Sequence, residues 1–179
     1  MYWCPSCLAE LVALPEAFRC SKCSQEFPLK NGFCVFEDSE LVSSLDYGLS
    51  QEKLDIEREA LLSRLRFYLI PRLGLRCGTR VLSVGCGAGS DIEELNLLGS
   101  EAYGMDFLYR TREWKARGLS KHRFFVSSTA RLPFPRGHFD LILCMGVIEH
   151  VSEFQSSAEG ICCTRQRAPG FSTGTTRFA

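Results

Sequence analysis

Arg80-Val81-Leu82-Ser83-Val84-Gly85-Cys86-Gly87-Ala88-Gly89-Ser90-Asp91 decides the fold class of this 179-residue chain. A short apolar, β-branched run enters a turn with glycine at every second position. A helical pattern comes next, with Ile92, Leu95 and Leu98 on one face. Strand, tight turn and helix in that order open a parallel α/β sheet, with glycines where the backbone must come close to a ligand. Ser90 and Glu93 have the spacing of a capping box at the helix start. The second strand, Ala102-Tyr103-Gly104-Met105, ends at Asp106, 21 residues beyond Gly85. An acidic side chain there can take two ribose hydroxyls, and a cap on the next helix is the other role open to it.

The chemistry of the turn narrows the ligand. A dinucleotide fingerprint, G-x-G-x-x-G, needs glycine where Ser90 stands. Asp91, Glu93 and Glu94 place three carboxylates in the first helical turn, where they repel a pyrophosphate. S-adenosylmethionine carries no phosphate and has a sulfonium cation, so it tolerates that charge. Further on, Phe139 to Met145 is a nearly continuous apolar run, as expected of a parallel strand buried on both faces. Gly146, Glu149 and His150 come after its carboxyl end and so fall on the ligand side of the sheet. Glu149 and His150 are the candidates for orienting substrate or moving a proton, with a structural hydrogen bond as the other fate of His150.

Three segments carry a family resemblance: Val81 to Gly89, Tyr103 to Asp106, and Leu132-Pro133-Phe134-Pro135 through Phe139-Asp140 to Glu149-His150-Val151. In order and spacing they resemble the motifs of class I S-adenosylmethionine-dependent methyltransferases of the type-11 group, which includes ubiquinone- and menaquinone-biosynthesis enzymes. The resemblance implies a Rossmann-like sheet, S-adenosylmethionine as cofactor and methyl transfer to an oxygen, nitrogen or carbon acceptor. It also implies roles: Gly85, Cys86, Gly87 and Gly89 against the amino-acid part of the cofactor, and Asp106 on the ribose. Ser128 and Thr129 fall near adenine, and Met145 and Gly146 form the floor. Two positions depart from the pattern. Ser83 replaces an acid that helps hold the cofactor's amino-acid end, and Ser128 replaces an aspartate that receives the adenine amino group. A hydroxyl accepts hydrogen bonds, but a charge-assisted bond is roughly twice as strong, so weaker cofactor binding is expected.

Upstream, Cys4-Pro5-Ser6-Cys7 and Cys20-Ser21-Lys22-Cys23 form two C-x2-C pairs separated by 12 residues. Each turn aims two thiolates at one point, and two such turns make a closed S4 site for structural zinc. Unliganded thiols and disulfides are the alternatives. So few residues bury too little core alone, and a metal supplies the missing folding free energy. Cys34, in Phe33-Cys34-Val35-Phe36, reads as a small core residue. The stretch Cys20 to Phe36 resembles the zinc ribbons that precede many methyltransferase domains and the small zinc-ribbon activators of tRNA and protein methyltransferases. That resemblance implies an appendage for substrate recognition or packing. The expected organisation is a zinc ribbon over 1–38, a linker and amphipathic helix over 39–78, and a methyltransferase domain over 79–179. The helix, Gln51 to Leu69, has Leu54, Leu61, Leu62, Leu65 and Leu69 as its apolar positions and ends at Pro71 and Gly74.

Composition bounds the rest. Twenty-one basic and 21 acidic residues give a formal net charge of zero, which excludes a globally basic nucleic-acid binder. The longest apolar run, Leu141 to Ile148, has eight residues, against the roughly 20 of a membrane helix. No basic region precedes an apolar stretch at Met1, so the ten cysteines predict a reducing, intracellular and cytoplasmic setting without a membrane partner. Arg110, Arg112, Lys115, Arg117, Lys121, Arg123, Arg131 and Arg136 face only Glu113 in the same stretch. They form either a solvated surface or a patch for RNA, which makes an RNA-modifying enzyme or accessory subunit one functional option. Beyond Val151, Arg167 and Phe171 break the R-x-L-x-P-G-G ending implied by the resemblance, and Phe171 to Ala179 is a poor central strand. The sequence therefore predicts an incomplete, C-terminally truncated sheet, with a non-catalytic binding module as the alternative function.

Overall fold

The computed structural model describes residues 2–37, 56, 59–60, 62–63, 65–73, 75–106, 110–120, 122–129, 132–145 and 147. The described strands are β1 (Leu11–Ala13), β2 (Ala17–Cys20), β3 (Glu26–Lys30), β4 (Phe33–Val35), β5 (Arg80–Val84), β6 (Glu101–Asp106), β7 (Phe124–Val126) and β8 (Leu141–Cys144). A π-helical turn, Leu65–Leu69, leads into helix α1 (Ile70–Leu73); α2 (Ser90–Leu97) and α3 (Arg110–Ala116) come after it. All eight strands join one sheet in the order β1-β2-β3-β4-β7-β6-β5-β8. The first four pair antiparallel, and the last four pair parallel.

The junction lies between β4 and β7. These strands run parallel, with Cys34 opposite Phe125 and Val35 opposite Val126. The Phe36 amide extends the ladder by donating to the Val126 carbonyl at 2.8 Å. The cysteine-rich segment is thus hydrogen-bonded into the sheet one strand before the expected boundary at residue 38. Cys34 is fully buried there, as its place in an apolar run predicts. Side chains reinforce the junction. Tyr2 is buried against Phe18, Phe36, Phe125 and Phe134, with ring centroids 5.3–5.8 Å apart. Its hydroxyl donates to the Phe124 carbonyl at 3.2 Å. The Trp3 amide donates to the Pro133 carbonyl at 3.0 Å, so the Leu132-Pro133-Phe134-Pro135 segment packs directly on the N-terminal strands.

In the parallel half, Val81, Leu82 and Val84 of β5 are buried, and Ile92 and Leu95 of α2 join Trp114 of α3 in the core on one face of the sheet. Asp91 is buried in the first turn of α2, where its carboxylate accepts from the Ser83 hydroxyl of β5 and from the Ile92 amide at 2.9 Å. That contact pins the helix to the strand that precedes it.

Two local expectations are corrected. The capping box at Ser90 does not form: Gly89 takes the N-cap in the left-handed region, with φ 85° and no side-chain cap bond. Ser90 is already helical, and Glu93 is drawn away to an ion pair with Arg117. Nor does Pro71 end its helix, because α1 continues through it to Leu73. The π-helical turn before it shifts the carbonyl register by one residue and relieves the clash a proline ring makes with the preceding turn. Of the expected apolar face, Leu62 and Leu65 are buried, whereas Leu54 and Leu61 lie outside the described residues. Among the described residues no helix is long and apolar enough to cross a membrane.

Tyr2→Ala empties a fully buried site between the two halves of the sheet, so its unfolding free energy in urea should fall by about 4 kcal/mol. Tyr2→Phe removes the hydroxyl alone and should cost about 1 kcal/mol; equal losses for both variants would contradict the packing argument. For Asp91, burial raises the carboxyl to about 6 from an ordinary 3.8. Between those values the folded chain holds a proton that the unfolded chain has released, so stability falls as pH rises from about 4 to about 6. Urea denaturation across that range should show the decline, and Asp91→Asn should flatten it.

Candidate functional site

Because β5, β6, β7 and β8 are parallel, their carboxyl ends share one edge, and the sequence-predicted glycine turn lies there. The Gly85 and Cys86 amides both donate to the Met105 carbonyl, at 2.9 and 3.1 Å, tying the turn to the end of β6. Gly85, Gly87 and Gly89 have φ of 69°, 54° and 85°, a region closed to most side chains. At Gly85 there is also no room: a Cβ would stand 2.2 Å from Val147 Cγ2. Cys86 faces inward, and burial pushes its thiol up, away from reactivity.

Three side chains hold the turn in shape. Asp106, buried at the end of β6, accepts the Gly87 amide on Oδ2 at 2.7 Å. The Trp114 indole donates to the Gly87 carbonyl at 2.8 Å, and Arg117 donates to the Ala88 carbonyl at 2.8 Å. Trp114 and Arg117 were not singled out by the sequence as site residues. Their spacing along α3 and its end marks a helix face turned toward the sheet, but the pattern says nothing of which carbonyls they meet.

Charge around the turn also differs from the sequence expectation. Glu93 pairs with Arg117, and Glu94 accepts two hydrogen bonds from Arg66, each 2.9 Å. The Arg66 hydrogen bonds hold the Glu94 carboxyl below the ordinary carboxylate range. Two of the three carboxylates expected to repel a pyrophosphate are therefore neutralised by arginines. Asp91, bonded to Ser83, and Asp106 are the acids buried beside the turn.

Beyond β7 the chain passes through Ser127, Ser128 and Thr129. The Ser128 hydroxyl donates to the carboxylate of Glu37, two residues past β4. Met145, next after β8, is half-buried. Gly146, Glu149 and His150 lie outside the described residues. So the edge brings together Gly85, Cys86, Gly87, Gly89, Asp106, Ser128, Thr129 and Met145, together with Glu37, which lies near the end of the expected zinc ribbon. Of the basic stretch, Arg110 bonds Glu113 at 2.8 Å, Arg117 serves the glycine turn, and Arg123 lies 5.3 Å over the Tyr103 ring. Those three charges are engaged within the fold.

A second constellation occupies the far end of the strand order. The Sγ atoms of Cys4, Cys7, Cys20 and Cys23 all lie within 4.8 Å of one another. Cys4 and Cys23 are 3.6 Å apart, and Cys7 and Cys20 are 3.4 Å apart. Four sulfurs at about 2.3 Å from a tetrahedral ion stand about 3.8 Å from each other, so the donor set fits zinc in size and softness. The two turns repeat one geometry. Leu8 and Ser24, each just after a second cysteine, have φ of 56° and 58°. Their amides donate to the Cys4 and Cys20 carbonyls at 2.8 and 3.1 Å. The Cys23 and Lys22 amides also donate to Cys20 Sγ, each at 3.4 Å, and hold that thiol down to about 6.

Comparison with known proteins agrees with the geometry. Residues 82–162 match a family model described as a methyltransferase domain. The ubiquinone biosynthesis O-methyltransferase of Methylococcus capsulatus is 33% identical over 120 residues, 64% of this chain and 48% of that protein. The Shewanella sp. enzyme of the same name is 31% identical over 118 residues, 62% of this chain and 49% of that protein. The chain thus spans about half the length of these curated relatives. In fold it is similar to the PH0226 protein of Pyrococcus horikoshii OT3, with TM-score 0.53 and 23% identity over 65% of this chain and 51% of that one. The glycine turn, the acid that ends β6 and the parallel strands from Leu82 of β5 to β8 thus all lie within the 82–162 segment that matches the methyltransferase domain.

Proposed function

We propose that this chain binds S-adenosylmethionine at the carboxyl edge of its parallel strands and transfers the methyl group to an oxygen of a small-molecule acceptor. The observation that carries this reading is the Gly85–Gly89 turn, locked by Asp106, Trp114 and Arg117 in a shape that leaves space above Gly87. Among the described residues, a Cβ built at Gly87 meets only Arg110, at 3.9 Å. The cofactor, when bound, supplies an electrophilic methyl carbon on its sulfonium. In this reading the protein's residues bind and orient. Gly85, Cys86, Gly87 and Gly89 present backbone to the amino-acid portion, Asp106 takes the ribose hydroxyls, Ser128 and Thr129 flank the adenine, and Met145 lies under the site. The O-methyltransferase names of the curated relatives support an oxygen acceptor. The internal use of Arg110, Arg117 and Arg123 weakens the case for RNA.

The four cysteines are proposed to hold one structural zinc ion, with all four positions filled by thiolate and none open for chemistry. That module is a packing element, joined to the sheet through β4.

Isothermal titration with S-adenosylhomocysteine should show one site per chain, weakened at least about tenfold by Asp106→Ala. No heat from the parent chain at millimolar ligand would overturn the cofactor reading. Metal analysis of the purified chain should find about one zinc, lost in Cys4→Ser and in Cys23→Ser, with a lower thermal midpoint after chelation. A metal-free chain with an unchanged midpoint would remove the zinc.

A further inference from the structure

The geometry points to Glu37, at the exit of the cysteine-rich segment, as the acid that receives the adenine amino group. This inference rests on the cofactor reading above and assigns one of its contacts to a residue outside the matched methyltransferase segment.

Strand direction makes it possible. β4 is parallel to β7, so the chain leaving β4 emerges on the same edge as the chain leaving β5, β6 and β7. Along that edge Gly85 ends β5, Asp106 ends β6 opposite Val126 of β7, and Phe36 is bonded to Val126. Neighbouring strands stand about 4.8 Å apart. A ligand with its amino-acid part at the β5 turn and its ribose on Asp106 therefore lays its base over the end of β7. Two chain segments meet there, Ser127-Ser128-Thr129 and Phe36-Glu37.

The chemistry selects between them. The exocyclic amino group of adenine donates hydrogen bonds, so its partner must accept. Ser128 directs its hydroxyl proton to the Glu37 carboxylate, which has lone pairs to accept further donors. Glu37 is exposed and its described partner is that hydroxyl, so no cation competes for it among the described residues. A carboxylate held by a serine at the end of β7 supplies the charge-assisted contact that Ser128 alone cannot make.

The test uses the whole chain, titrated with S-adenosylhomocysteine and with S-inosylhomocysteine, in which a carbonyl oxygen replaces the amino group. The parent should prefer the adenosyl compound. Glu37→Ala should lose about tenfold or more in adenosyl affinity, with little change for the inosyl compound. Adding Ser128→Asp to Glu37→Ala should restore the preference, because it places a carboxylate at the same point. The thermal midpoint of Glu37→Ala should stay near the parent's, since the residue is exposed. Unchanged adenosyl affinity and preference in Glu37→Ala overturns the assignment while leaving the cofactor reading intact. A lowered midpoint with unchanged preference also overturns it, in favour of a clasp that merely closes the segment's exit. A parent chain that binds neither compound removes the cofactor reading and this inference together.

Discussion

The parallel pairing of β4 with β7 is the constraint on which the remaining arrangement depends. Without it, β7 presents an open row of amide and carbonyl groups on the outer side of a buried sheet, a costly and adhesive edge. With it, that edge is paired by a strand whose own far side is already satisfied by β3. The sheet then continues antiparallel through β2 to β1, away from the cofactor edge. One short strand closes the parallel half and anchors the cysteine-rich half. Its direction matters as much as its presence, because an antiparallel β4 would send Phe36 and Glu37 out at the amino edge.

Neither half is self-sufficient around that junction. Three- to five-residue strands and two cysteine turns enclose little apolar volume, and small modules of this size need a metal or a neighbour. Here they have both in prospect: four convergent thiols at one end and a shared aromatic cluster at the other. Tyr2, Phe18 and Phe36 come from the N-terminal segment, while Phe125, Phe134 and Phe139 come from the segment that matches the methyltransferase domain. Edge-on ring contacts of Tyr2 and Phe36 with Phe125 link them. The Leu132-Pro133-Phe134-Pro135 segment, a family motif near the cofactor in sequence terms, also forms the wall on which Trp3 rests. Disturbing the cysteine turns is thus transmitted to β7 through packed rings rather than through a flexible tether.

Local features were legible in the sequence; relations between distant segments were not. The β5 turn and the two cysteine pairs are written in a few adjacent residues, because tight turns restrict which side chains fit. The pairing of β4 with β7 joins segments about 90 residues apart, with nothing in either short apolar run to name its partner. Charge was misread for the same reason. Asp91, Glu93 and Glu94 look like one acidic cluster in sequence, but Arg117 and Arg66 arrive from other elements and neutralise two of them. The capping-box spacing at Ser90 and Glu93 was real, yet Gly89 in the left-handed region took the cap first. Pro71 reads as a helix stop until the π-helical turn before it is known.

The two serines that depart from the family pattern point to a common physical logic. Ser83 hydrogen-bonds the carboxylate of Asp91, from the next helix, and Ser128 hydrogen-bonds the carboxylate of Glu37, from the neighbouring strand's exit. In each case the position that the resemblance reserves for an acid holds a hydroxyl, and the hydroxyl holds an acid. What binding chemistry requires is negative charge at a place, not aspartate at a sequence position. The two replacements are not equivalent, however. Asp91 is buried, and its raised pKa means that its charge is held against desolvation and fades below about pH 6. Glu37 is exposed, and it stays in place only while β4 stays paired. The edge pairing that completes the sheet therefore also sets whether the second acid is within reach of a ligand.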